Sequence, residues 1–508
     1  MARYLFPALF ALVLVSPFAL RLAVGRDSGD ASLSAAAEAR LVIVSPHNRD
    51  ILVAFEEGFR AWHEEQFGYV VDLDYRNVGG TGDVVKTLGD FYGQVKKQHG
   101  GELPPPEEVQ PPYHMAWGGG DYEFDVNLEG FDALQAVEYD AELLKAAFPE
   151  RDLAGINLYD NDDDGIHWVG VCLSSFGLVY SPYLYEQLEL NPPQTWTDLT
   201  RPELHDMLVL ADPGKSGSAA VAYVMVLQRA MADAEEAFLA DGGEEDTPAY
   251  DEAVAAGWEK GMADLLLIAA NARYFTDGAQ AVPAEVSHGN AAAGTAIDFY
   301  GRVEVETVGE ERIRYVVPPA ATAVTPDPIA VCYGTTGDDL THAKRFIEFL
   351  LTPEGQAIWI KAAGTPGGPR DRALRRTPIR RDVFADKTDW TDANDPFTES
   401  GGFNQRGAWM AEFTETRTVW QAAWIEASDA LDAAYSAVLN VKDDAAREQL
   451  LADLSRLPIT WADVKQIRAD RKALPGDQSA IFLSLKRAEL GATFREHYAK
   501  IERAARAM

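Results

Sequence analysis

Two cysteines in 508 residues exclude a disulfide scaffold and a zinc site built from cysteines alone. Basic residues are scarce too: 45 against 80 acidic, a net charge of −35. Phosphate backbones and anionic lipid surfaces attract a basic field, so neither nucleic acid nor an anionic membrane surface is expected as a partner. No Ser–His or Cys–His pair and no His-Glu-x-x-His motif is spaced for catalysis, so the chain is not expected to be an enzyme. No internal repeat is visible, and past the N-terminal segment no apolar run reaches the length of a transmembrane helix. What is present is 47% apolar and 10% aromatic, enough for a substantial core. The length suits roughly three 150-residue units or two large lobes.

The first segment reads as a targeting signal. Arg3 supplies the positive end, Tyr4–Leu20 is an uncharged apolar run broken by Pro7 and Pro17, and Ala23-Val24-Gly25 offers small residues for cleavage. An uncleaved anchor is the alternative. No cysteine follows the apolar run, which argues against a lipoprotein. The mature part is then expected outside the cytoplasmic membrane, in a periplasmic or extracytoplasmic space. There Cys172 and Cys332 can pair or stand as two separate buried thiols, and both readings stay open.

Leu41-Val42-Ile43-Val44 is an unbroken apolar run, as in a parallel strand covered on both faces. The turn Ser45-Pro46-His47-Asn48 follows, then Ile51, Phe55, Phe59 and Trp62 recur at helical spacing. Tyr69–Tyr75 reads as a second strand, and Val84, Val85 and Leu88 open a second helix. Strand and helix in alternation predict right-handed βαβ units, hence an α/β fold. Gln94–Met115, with Pro104-Pro105-Pro106, reads as a surface insertion. From about Asp395 the chain turns mostly helical, and Trp409, Trp420 and Trp424 mark buried faces.

Two loops invite an anion. Gly80-Thr81-Gly82-Asp83 lies between a strand and a helix, with Thr81 the expected N-cap. Asp212-Pro213-Gly214-Lys215-Ser216-Gly217-Ser218 repeats the arrangement, with Ser216 and Ser218 as hydroxyl donors and Gly217 removing steric cover. Free first-turn amides and the helix dipole favour an anionic or polar guest at both. The second loop is not a P-loop, since the glycine–lysine spacing fails, and not a nucleophile elbow, since Ser218 stands where glycine is required. An ordinary capped helix start is the competing reading at the first.

Other motifs divide between function and plain structure. Asp160-Asn161-Asp162-Asp163-Asp164-Gly165 matches the first half of a calcium loop, but position 12 is Val171, so a solvated acidic turn is preferred over Ca2+ at Asp160, Asp162 and Asp164. Arg370, Arg372, Arg375, Arg376, Arg380 and Arg381 form a basic cluster, read as internal salt bridging or as a docking surface. His47 sits in the first strand–helix loop, where open α/β sheets bind ligands. Asp298 and Tyr300 follow an apolar strand, as core hydrogen-bonders or as ligand contacts.

These pieces, in this order, resemble the extracellular solute-binding proteins of family 1, the receptors of bacterial ABC importers. The ferric-iron-, phosphonate- and thiamine-binding subgroups are nearest. The matching segments include Val44–Asp50, Gly79-Gly80-Thr81-Gly82, Gly118–Asp125, Phe176–Tyr180, Pro193–Leu199, Ala211–Ser218, Gly289–Tyr300 and Lys344–Pro369, and together they cover about residues 41–385. The resemblance implies a type II periplasmic-binding fold: two α/β lobes joined by a hinge, here followed by a C-terminal helical extension. The implied division is signal peptide 1–25, leader or tether 26–40, lobe I from 41 to 128, lobe II from 129 to 325, return to lobe I from 326 to 390, and extension 391–508.

Under that resemblance Ser45, His47, Asn48, Thr81, Gly119 and Asp121 of lobe I would face Ser216, Gly217, Ser218, Asp298 and Tyr300 of lobe II across a cleft. Closure is a population shift driven by contacts to both lobes. The strands around Cys172 and Cys332 would be the hinge crossings, which would make the thiols neighbours. No cofactor is implied. The expected partners are a small solute and a permease, and the expected state is a monomer. A small anionic or zwitterionic organic solute, such as a phosphonate, ranks first. Ferric iron, held by His47, Asp121 and Tyr300, ranks second, because Phe299 stands where the ferric subgroup carries a further tyrosine. An exported metal-dependent hydrolase on the same lobes, or a scaffold whose cleft no longer binds, are the other classes weighed.

Overall fold

The computed structural model describes residues 37–153, 155–160, 165–392, 406–474 and 476–508. The expected signal peptide, most of the leader, and Asp162 and Asp164 lie outside the described residues.

The first sheet opens with β1 (Ala39–Val44), whose Leu41, Ile43 and Val44 are fully buried. Asn48 caps the helix Arg49–Phe67, its Oδ1 accepting from Ile51 N–H at 3.1 Å, and Gly68 ends it in the left-handed region at φ 79°. The helix buries Ile51, Phe55 and Phe59 against the sheet. Then come β2 (Val71–Arg76), the helix Thr81–Gln98 and β3 (Met115–Trp117). A short hairpin, β4 (Asp152–Leu153) and β5 (Ile156–Asn157), precedes β6 (Trp168–Ser174), which is buried throughout.

After Ser175 alone, β7 (Phe176–Tyr180) starts the second sheet. It is joined by β8 (Leu208–Ala211), β9 (Ala272–Thr276), β10 (Ala293–Ile297) and β11 (Arg314–Val316). The chain returns through 317–324 to β12 (Thr325–Val331) and later β13 (Thr377–Pro378) in the first sheet.

The strand orders are β13-β6-β12-β3-β1-β2 and β11-β7-β10-β8-β9. In each sheet a strand with two parallel partners (β1, β8) is followed by one of those partners (β3, β10), which pairs on its other side with an antiparallel strand that the other lobe delivers (β12, β7). Two sheets of this matching topology, linked by paired crossings, are the expected type II arrangement. The crossings lie side by side: Thr325 pairs with Ser174, and Phe176 N–H donates to Thr322 Oγ1 at 3.0 Å.

Three expectations need correction. Lobe II begins at Ser175 and not at 129, because β6 lies within the first sheet, between β12 and β13. The helix starting at Thr81 runs to Gln98, into the expected insertion. The two thiols are not neighbours: Cys172 faces Asp327 and Pro378, whereas Cys332 lies past the end of β12, bridged to Leu134, and both are free and buried.

The extension forms the helices Phe413–Trp420, Ser428–Leu439, Asp444–Ser455, Trp461–Lys472 and Gly476–Arg506. It packs on lobe II: Trp420 and Trp424 are buried with ring centroids 5.8 and 6.3 Å from Tyr223.

Candidate functional site

A cavity of about 530 Å3 opens between the lobes beside the crossings. Lobe I supplies His47, Gly80, Thr81 and Gly119, and lobe II supplies Lys215 to Ser218, Phe299 and Tyr300.

Two helices from opposite lobes aim their N-termini at this space. Thr81–Gln98 is capped by Gly80, not by Thr81: Gly80 N–H donates to Asp83 Oδ2 at 3.0 Å. Thr81 is therefore a first-turn residue on the cavity wall. Gly217–Ala240 is capped by Ser216, whose Oγ accepts from Ala219 N–H at 3.3 Å. The helices leave the amides of Gly217 and Ser218 without an intrahelical acceptor. The two loops touch: a Cβ on Gly80 would lie 2.6 Å from the Lys215 carbonyl, and one on Gly217 would lie 3.3 Å from the Gly119 carbonyl. Gly119 itself sits at φ 124°, and a Cβ there would meet Thr81 Cγ2 at 2.5 Å. Glycine is required at 119 on both counts.

The floor is a buried charge cluster. Asp327, on β12, accepts from Arg376 Nη1 at 2.5 Å and from Gly119 N–H at 3.3 Å, and its Oδ2 lies 2.7 Å from His47 Nε2. Burial opposes its charge, but the Arg376 guanidinium and His47 outweigh that and hold the carboxyl well below the usual carboxylate range. Arg376 Nη2 donates to Ser174 Oγ at 2.7 Å, and the guanidinium lies 4.4 Å from the Phe299 ring centre. Arg376 Nε and His47 Nδ1 are buried with no hydrogen-bond partner among the described residues. The remaining acids on the wall are occupied: Asp277 takes Lys215 Nζ at 2.6 Å, and Asp83 caps its helix.

The expected site residues divide. His47, Thr81, Gly119, Ser216, Gly217, Ser218 and Tyr300 line the cavity. Ser45 lies beneath it, its Oγ accepting from His47 N–H at 3.2 Å, and Asn48 is spent on its helix cap. Asp121 is off the wall, and burial pushes its carboxyl up to about 6. Asp298 is also off the wall. It accepts from Ser175 Oγ at 3.2 Å and from Phe299 N–H at 2.8 Å, and burial raises its pKa. Its role is to tie the Asp298–Val308 helix to the crossing. Asp327, Arg376, Ser174 and Phe299 were not expected. The available signals were a lone carboxylate between Pro326 and Pro328 in an apolar strand, and Arg376 inside a basic cluster.

The rest of that cluster bridges internally. Arg375 pairs with Glu306 and Asp392, Arg380 with Asp382, and Arg370 with Glu57. On the acidic turn, Asp160 is buried and its Oδ2 accepts from His167 N–H at 3.0 Å and lies 2.9 Å from His167 Nδ1. Glu129, Asp160 and His167 each bring one metal-ligating atom within 4.8 Å of the others.

Residues 119–383, more than half of the chain, match the family described as bacterial extracellular solute-binding protein. The chain belongs to this family. The match leaves the residues before 119 and the terminal helices outside it. The phosphoglycerate transport regulatory protein PgtC of Salmonella typhimurium is 25% identical over 190 residues, which are 37% of this chain and 40% of that protein. The alignment thus spans less than half of the relative's length. Among solved structures, the periplasmic binding protein P5PA is 15% identical with a TM-score of 0.49, over 74% of this chain and 94% of that one. AfuA from Actinobacillus pleuropneumoniae, also a periplasmic binding protein, is 18% identical with a TM-score of 0.47, over 74% and 99%.

Proposed function

We propose that this chain is the exported solute-capturing component of an ATP-binding-cassette importer. Its guest is a small anionic organic solute carrying a phosphate or phosphonate group. It is held in the interlobe cavity, released unchanged, and delivered to a permease by a monomer. The observation that carries the reading is the meeting of two long helix N-termini, Thr81–Gln98 and Gly217–Ala240, at one cavity whose acids are all engaged. First-turn amides, Ser216 and Ser218 hydroxyls and the buried Arg376 form an oxyanion cradle without a free carboxylate to repel the guest. The name of the Salmonella relative, a phosphoglycerate transport regulatory protein, points to the same chemistry.

Ferric iron has less support. One tyrosine reaches the wall, burial pushes its phenol up to about 12, and Asp121 stays off the wall. A hard cation needs that phenolate charged.

The test is a thermal-shift panel of 3-phosphoglycerate, glycerol 3-phosphate, methylphosphonate, ferric citrate and putrescine. A phosphate monoester or phosphonate at 100 times its Kd adds about 2.7 kcal/mol and raises Tm by several degrees. A shift with ferric citrate or putrescine alone refutes the proposal.

A further inference from the structure

The extension is anchored to lobe II. Trp420 Nε1 donates to the Met262 sulfur at 3.1 Å, and His205 Nε2 lies 2.9 Å from Ser436 Oγ. One helix of it, Phe413–Trp420, also reaches lobe I. Arg417 Nη1 donates to Glu123 Oε1 at 2.6 Å in lobe I, while its Nε donates to the Pro213 carbonyl at 3.0 Å in lobe II. One turn earlier, Thr414 Oγ1 lies 3.0 Å from Tyr122 OH, and the Phe413 ring meets the Tyr122 ring edge-on at 4.5 Å. Gln421 fills the space beside Gly214 where a Cβ would sit.

These contacts fall on sensitive places. Tyr122 and Glu123 follow, after Asp121, the glycine loop whose Gly119 and Gly120 line the cavity, and Pro213 stands two residues before Lys215 in the loop that ends at Ser218. A single helix from outside the lobes therefore grips both cavity loops from behind. Glu123 is buried, with 6% of its side chain exposed, so separating the lobes strips a buried carboxylate of its cation.

We infer that the Phe413–Trp420 helix is a strap that holds the lobes closed, and that entry and exit of the guest are gated by the Arg417–Glu123 pair. The strap rests on the reading that the lobes move. It adds a term that a two-lobed receptor without it lacks: closure is favoured before any guest arrives, so binding and release are both slowed.

Spin labels at Glu65→Cys and Arg312→Cys in the full chain report the lobe separation by pulsed dipolar EPR. Both sites are exposed, one in each lobe, and the native thiols are buried. The labelled protein without guest is expected to show one short distance, with an open population of about 1% or below, in the lower part of the roughly 0.1–10% range of a minor state. Arg417→Met and Glu123→Gln raise the long-distance population at least tenfold. Tyr122→Phe keeps the ring packing and raises it less. Arg506→Met, which breaks the exposed Arg506–Glu502 pair within the last helix of the extension, leaves it unchanged. Circular dichroism melts confirm that each variant is folded, and Tyr122→Phe keeps the test open should a charge variant fail that check. A long distance already populated in the unmodified chain overturns the strap and leaves the mobile-lobe reading standing. One short distance in every protein overturns both. An equal opening in Arg506→Met also overturns the strap, since it marks general loosening.

Discussion

Asp327→Asn is the most informative single change. The side chain is nearly isosteric, so shape is kept while the charge goes. In the folded chain Asp327 faces Arg376 at 2.5 Å and His47 at 2.7 Å, and both Asp327 and Arg376 are buried. Losing the carboxylate leaves a buried guanidinium without its counter-charge, with the contact to Ser174 Oγ unchanged. Removing one partner of a buried pair costs about 3–5 kcal/mol. Urea unfolding followed by tryptophan fluorescence should show that loss. Asp327→Leu combined with Arg376→Met should lose far less than the two single changes summed, because an apolar replacement of both partners leaves no stranded charge. A coupling of about 2–3 kcal/mol is expected. The loss should be fully present at pH 8. The folded carboxyl is held below its ordinary value, so its contribution is complete above about 3.9 and disappears only as pH falls below that. A loss under about 1 kcal/mol, or simple additivity in the double variant, refutes the account of the cavity floor.

Three further outcomes can be checked. Burial lowers the pKa of both His63 and His342, which meet at Tyr69 beside Arg345, so the folded state holds them neutral. Their contribution is whole above about pH 6.5 and is lost as pH falls through their lowered values, so Tm should drop between pH 7 and 5 and drop less in His342→Gln; equal drops refute this. Gly119→Ala, at φ 124° and 2.5 Å from Thr81 Cγ2, should weaken phosphate-ester binding at least tenfold by calorimetry, and unchanged affinity refutes the close approach of the loops. Cys172 and Cys332 should resist Ellman's reagent in the native protein, where burial raises both thiols, Cys332 to about 12, and should titrate as two thiols in guanidinium. Fewer than two would mean a bond between them.

Local chemistry was legible in the chain. The apolar run of β1, the Asn48 turn and the Ile51, Phe55 and Phe59 spacing specify a strand and a capped helix by themselves, because capping and periodicity act within a few residues. The glycine-rich loops at two helix starts were visible for the same reason, although the caps proved to be Gly80 and Ser216. Tertiary structure decided the rest. β6 belongs to the first sheet because β12 returns to pair with it, a contact some 150 residues away in sequence that no local pattern encodes. Arg376 looked like one of six arginines in a basic cluster, and only folding set it against Asp327 and His47. Ionic and sheet contacts over such separations depend on where the chain returns, and a buried charge becomes recognisable only once its partner is in place.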